Sequence, residues 1–249
     1  MESAKELFYK MADDLLIFGH RNSEWTGLGP ILEEDIAFSS MAQDKIGHAQ
    51  AIYQILHEMG EADSDALAFN RPSSAFRNCQ FVELPNGEYD FSMVRHFLFD
   101  HADQQRFEML ATSAFEPIAK VARKIKGEIK YHVFHADTWL VKLSQANEES
   151  KARMQSALNE AWNYALGIFE EGNFESDLRS KGIFEGEAAL KARWMDKISP
   201  IIEKAGLRIP DESTWNPVLG GRKGYHSDHL DPLVLEMGEV FRLDPGAEW

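Results

Sequence analysis

Residues 30–59 read PILEEDIAFSSMAQDKIGHAQAIYQILHEM, and this stretch decides the fold class. Pro30 suits the first position of a helix, where its missing N–H would have no partner anyway. Polar and apolar residues then recur at helical spacing to Met59, and Gly60 ends the run. The rise of 1.5 Å per residue makes this predicted helix about 43 Å long. Upstream, Ser3 and Glu6 have the spacing of a capping box, and Leu7, Phe8, Met11, Leu15 and Phe18 follow at helical intervals to Gly19. The loop from Asn22 to Gly29 is short, so the two helices must run antiparallel.

Downstream the periodicity fades from Glu61 to Tyr89, where Pro72, Pro85 and Asn86-Gly87 mark turns. Within that excursion Gln80–Leu84 could pair at most as a short strand. Asp90 then caps a third predicted helix to about Ala114, and Pro117 opens a fourth to about Ala146. The result is two helical hairpins joined by one long crossover, an all-α four-helix bundle of the ferritin-like type. Further helices are expected over about 150–171, 186–205 and 227–241, packed around the bundle. No Ser/Gly/Pro-rich linker divides the chain. A single domain 1–249 is therefore expected, with a core bundle of about 3–146, additional helices of about 150–242 and a tail to 249.

Composition excludes several function classes. The 41 acidic against 26 basic residues give a formal charge of -15, which repels nucleic acid and anionic lipid. Cys79 is the sole cysteine, so neither an intrachain disulfide framework nor a multi-thiolate metal site is available. With no basic-then-apolar leader pattern at the start and no apolar run near 20 residues, a cytoplasmic protein is expected.

Ferritin-like two-metal proteins take one carboxylate from each of two helices and a Glu-x-x-His pair from each of the other two. The second helix carries Gln43-Asp44-Lys45-Ile46-Gly47-His48 and the fourth Gly127-Glu128-Ile129-Lys130-Tyr131-His132. Both histidines are in place. Three residues earlier, where the glutamates belong, stand Lys45 and Ile129, and neither is a bridging ligand. On the helices that give single carboxylates, Asp100 is well placed among Phe97, Leu98 and Phe99, whereas the first helix offers Leu15 with Asp14 turned by about 100°. Three positions (His48, Asp100, His132) are kept and three (Leu15, Lys45, Ile129) are lost.

Three readings of this pattern follow. Lys45 could place its ammonium where a metal would have been and pair with Asp100 as a buried polar plug. A shifted site could use Asp44, His48, Asp100, Glu128 and His132. The histidines could also be ordinary core residues satisfied by hydrogen bonds. Other templates are weak. Gly220-Gly221-Arg222-Lys223-Gly224 lacks the context of a phosphate loop and reads as a turn; Ser92, Ser113 and the nine histidines form no nucleophile constellation. Trp139, Trp162, Tyr164 and Phe169 read as a core stripe.

The chain resembles the C-subunit family of the phenylacetyl-CoA (ring 1,2-) epoxidases of aerobic bacterial phenylacetate degradation. The segments that carry the resemblance are Ser23-Glu24-Trp25-Thr26-Gly27, Ala66-Leu67-Ala68-Phe69-Asn70-Arg71, Val82-Glu83-Leu84-Pro85-Asn86-Gly87 and Lys130-Tyr131-His132. Most specific is the ending Gly220-Gly221-Arg222-Lys223-Gly224-Tyr225-His226-Ser227-Asp228-His229-Leu230, completed by Pro245-Gly246-Ala247-Glu248-Trp249. The resemblance implies an oxygen- and NADPH-dependent monooxygenase complex in which a related A subunit holds the di-iron centre and binds the CoA ester. A separate reductase subunit would carry the flavin and iron-sulfur groups, and this chain no cofactor. Its implied role is that of a non-catalytic structural partner of the A subunit, within a hetero-oligomer that includes the other epoxidase subunits. In that role Trp215, Arg222, Tyr225 and Trp249 of the C-terminal region would supply an interface, the alternative being that the aromatics anchor the tail on its own bundle. Two further functions remain beside it: an autonomous di-iron oxidase or oxygenase on the shifted ligands, and a structural homo-oligomer without an oxygenase partner.

Overall fold

In the computed structural model, which describes residues 1–244 and 246, the expected first helix is α1 (Glu2–Ser23). Leu7, Phe8, Met11, Leu15 and Phe18 all lie in the core, each at most 1% exposed. The Ser3–Glu6 capping box is not used; Met1 is the cap residue and no side chain closes the first turn. Gly19 does not end the helix either. A methyl there would stand 2.8 Å from Ile46 Cγ1 and 3.3 Å from Ala42 O, so the residue instead permits close packing against α2 (Leu32–Glu58). That second helix starts two residues beyond Pro30, with Ile31 as its extended cap residue.

At its end Gly60, at φ +94, lets the Gly60 N–H reach His57 O at 2.9 Å and the Glu61 N–H reach Leu56 O at 3.1 Å. This is a Schellman closure. Glu61 then accepts from the Tyr9 hydroxyl at 2.7 Å and pairs with Lys5, tying the end of α2 to the start of α1. The excursion holds a short helix α3 (Ser64–Phe69), capped by Asp63 through Ala66 N at 2.8 Å. Gln80–Val82 forms a 3-10 turn rather than the strand the sequence allowed.

The chain groups into two compact units, and α1 to α3 belong to the first, residues 1–85 together with 220–249. The C-terminal part of this unit contributes a 3-10 turn at Gly221–Lys223 followed by α4 (Leu230–Met237) and α5 (Glu239–Leu243). One helix was expected over 227–241. It starts late because Ser227 gives its N–H and hydroxyl to Glu83, and it breaks at Gly238, where a Cβ would sit 2.6 Å from Phe69 O.

The second unit spans residues 86–219. Its hairpin is α6 (Tyr89–Leu110) and α7 (Glu116–Ala146), followed by α8 (Glu148–Leu166), α9 (Glu175–Ser180) and α10 (Glu187–Lys204). Asn147 ends α7 and caps α8 through Ser150 N at 2.8 Å. Helix α6 is buried on nearly every side, by α7, α8 and α10, which is why its sequence carries so little amphipathic contrast. Trp194 of α10 donates its indole N–H to Leu98 O at 2.8 Å and packs against Trp162 at 5.5 Å. Trp162 and Phe169 are core residues as the sequence suggested, while Trp139 and Tyr164 are half-buried. Every regular element among the described residues is helical.

Candidate functional site

The first unit places its helix-one carboxylates in structural work. Leu15, where a first-helix ligand was expected, is 1% exposed, and its neighbours Asp13 and Asp14 are fully buried. Asp14 accepts two guanidinium bonds from Arg222 at 2.8 and 2.7 Å, and a third from Cys79 N at 2.7 Å. Asp13 accepts from the Tyr53 hydroxyl at 2.5 Å, from Arg77 N at 2.7 Å and from both Nη atoms of Arg71. Arg71 also lies 4.2 Å over the Phe76 ring. These bonds tie both carboxylates to backbone and side chains of their own unit.

On α2, Lys45 and His48 are 1% and 4% exposed, and the Lys45 ammonium lies 4.8 Å over the Phe18 ring. Asp44 is half-buried.

The second unit brings Asp100, fully buried, within 2.9 Å of His96 Nδ1, one turn earlier on α6. Ile129 and His132 on α7 are 1% and 2% exposed, with Glu128 half-buried. A neighbouring pair, His101 Nε2 and Asp137 Oδ1 at 2.7 Å, links α6 to α7. Among the described residues no group of three or more His, Cys, Asp or Glu side chains is placed to hold a metal ion. Leu15, Lys45 and Ile129 supply no carboxylate, so the six-ligand set of a di-iron site is not met by the residues at those positions.

The interface candidates divide. Tyr225 is 72% exposed. Trp215 is half-buried, stacked 5.6 Å from Trp162 with its indole N–H on Pro210 O at 2.9 Å and the Lys191 ammonium 5.2 Å away. Arg222 is inside its own unit, with a side chain only 2% exposed, because its charge is taken by Asp14. Trp249 lies outside the described residues.

A second polar cluster escaped the sequence. Glu83, buried, accepts from Asn78 Nδ2 at 2.9 Å, from Ser227 N at 2.7 Å and Oγ at 2.6 Å, and faces His226 Nδ1 at 2.6 Å. His226 Nε2 lies 3.1 Å from Phe76 O. The signal was present in the Gly-Gly-Arg-Lys-Gly-Tyr-His-Ser run, whose three glycines let it lie against residues 74–80. Burial and the adjacent Asp14 carboxylate push the Cys79 thiol far up from its ordinary range, which removes it as a nucleophile. Desolvation alone pushes the His20 imidazole down to about 4.

These features define a class: an all-α, ferritin-like helical protein with buried histidines at His48, His96 and His132. The chain belongs to the phenylacetic acid catabolic protein family, which it matches over residues 1–249. It is 31% identical over 241 residues to the C subunit of the 1,2-phenylacetyl-CoA epoxidase of Escherichia coli (strain K12), covering 96% of each chain. It is also 23% identical over 231 residues to the A subunit of the same enzyme from that organism, covering 83% of this chain and 74% of that protein. No helix of the described residues is long and apolar enough to cross a membrane.

Proposed function

We propose that this chain is a non-catalytic C-type subunit of a multicomponent phenylacetyl-CoA 1,2-epoxidase, pairing with and supporting a di-iron A-type subunit in the cytoplasm. The observation that carries this reading is chemical. At three of six ligand positions the chain buries Leu15, Lys45 and Ile129, and a buried lysine brings positive charge and no lone pair to ferrous ions. Substitution of hydrophobic or cationic residues for carboxylates is what a bundle kept for its shape, and not for its metal, would tolerate. Support also comes from similarity that is stronger and longer to the curated C subunit than to the A subunit. Within such a complex the A-type subunit would perform the oxygen chemistry, with a reductase supplying the electrons. This chain's residues would hold a surface in place.

The test is reconstitution. The chain is purified from phenylacetate-grown cells with whatever accompanies it, and epoxidation of phenylacetyl-CoA is measured with and without it. The expected result is that an A-type subunit co-purifies with it, and that activity is lost when this chain is left out. Anaerobic loading of the isolated chain with ferrous iron should leave far fewer than two irons per chain and no oxygen uptake. Stoichiometric iron with oxygen consumption would instead favour the autonomous oxidase on Asp44, His48, Asp100, Glu128 and His132.

A further inference from the structure

Helix α7 presents an outward ridge that its own chain does not explain. At 100° per residue, Gly127, Tyr131 and Phe134 fall on one face. Tyr131 is 78% and Phe134 is 69% exposed, although aromatic side chains of this size ordinarily bury most of their surface. Gly127 stands in the middle of a 31-residue helix, where glycine weakens the helix relative to alanine. A Cβ at that position would meet nothing within 4 Å. Internal packing therefore does not require the glycine. A notch with two aromatic knobs one and two turns further on is the geometry of close approach by a second helix.

Charge identifies the occupant. The stretch 116–131 holds five cations (Lys120, Arg123, Lys124, Lys126, Lys130) and two carboxylates (Glu116, Glu128), a formal +3 within a chain of -15. All five cations are exposed. Arg123 is paired with Glu116 at 2.5 Å, whereas the four lysines form no ion pair among the described residues. Two copies meeting through this ridge about a two-fold axis would set cations against cations. An acidic surface would be attracted, and its encounter steered.

We propose that the ridge of α7 centred on Gly127, Tyr131 and Phe134 is the docking face for an acidic helical surface of the partner subunit. This rests on the subunit role proposed above and names the surface that performs it. The aromatic pair fills the partner's surface while the lysines at its rim set orientation and rate.

The full-length chain is tested as wild type, Gly127→Gln, Tyr131→Ala/Phe134→Ala and Lys124→Glu/Lys130→Glu, against the purified A-type subunit from the same source. Gly127→Gln enters open space and favours the helix, so thermal unfolding of the free chain should be unchanged or raised. Its affinity for the A-type subunit should fall at least 100-fold, as should that of the double aromatic variant. The charge-reversal variant should associate at least tenfold more slowly at low salt, a difference that shrinks as salt rises. Wild-type binding with undiminished affinity in the glycine and aromatic variants would overturn the ridge and leave the subunit role standing. Failure of the wild-type chain to bind would overturn both. Self-association of the wild-type chain abolished by the same variants would assign the ridge to a second copy and overturn the proposal.

Discussion

Arg222 holds Asp14 through two hydrogen bonds of 2.8 and 2.7 Å, and the two side chains are only 2% and 1% exposed. They lie 208 residues apart in sequence, so one ion pair closes the first unit from its first helix to its last segment. Removing one partner leaves a buried charge unmatched. Arg222→Met and Asp14→Leu should each cost roughly 3–5 kcal/mol of stability, read by urea unfolding. The double variant should recover most of that loss, and strictly additive losses would contradict the pairing.

Glu83 collects four bonds, three of which anchor the segment after Gly220. Glu83→Gln replaces a charged acceptor with an amide and should destabilise the chain by roughly 2–3 kcal/mol. Hydrogen exchange followed by mass spectrometry should show residues 220–231 losing protection first. Equal loss across all helices would mean that Glu83 acts globally and not as a local anchor.

The His20 imidazole is pushed down by desolvation from its ordinary 6.5 to about 4. Between those values the unfolded chain binds a proton that the folded chain refuses, so stability falls as pH drops below 6.5 and levels off near 4. Allowing for residual solvent access, the loss is on the order of 2 kcal/mol. His20→Gln should flatten this part of the stability-pH curve relative to wild type, and parallel curves would show that His20 does not contribute.

Two glycines of the first unit should respond in opposite directions to the same change. Gly19→Ala forces a methyl to 2.8 Å from Ile46 Cγ1 and should cost about 1–3 kcal/mol. Gly47→Ala enters open space mid-helix and should gain about 1 kcal/mol. Thermal unfolding of the two single variants checks both signs.

Helix positions were legible in the sequence wherever one face was apolar, and α2 and α7 were found to within two residues of their ends. Local punctuation was less reliable because tertiary contacts outbid it. Gly19 looked like a stop, yet it is a packing contact inside α1, and Gly238 broke a helix that periodicity made continuous. The Gln80–Leu84 run has strand-forming residues but no partner strand among the described residues, and Gln80–Val82 folds as a 3-10 turn. The buried residues Lys45 and Ile129 could be picked out by their spacing from the histidines, and Leu15 by its place on the first helix about thirty residues ahead of Lys45. The hubs on Asp13, Asp14 and Glu83 could not, since all their named partners except Asn78 come from 40 to 208 residues away and no periodic signal links them.

Cys79 sits inside this last arrangement, 1% exposed, with its backbone N–H on Asp14. Because it is the only cysteine of the chain, its thiol is a built-in clock for the opening of the first unit. A labelling reagent can reach the sulfur only when the segment lifts away. The rate of modification at high reagent concentration thus reports how often that happens, and the rate at low concentration reports the open fraction at equilibrium.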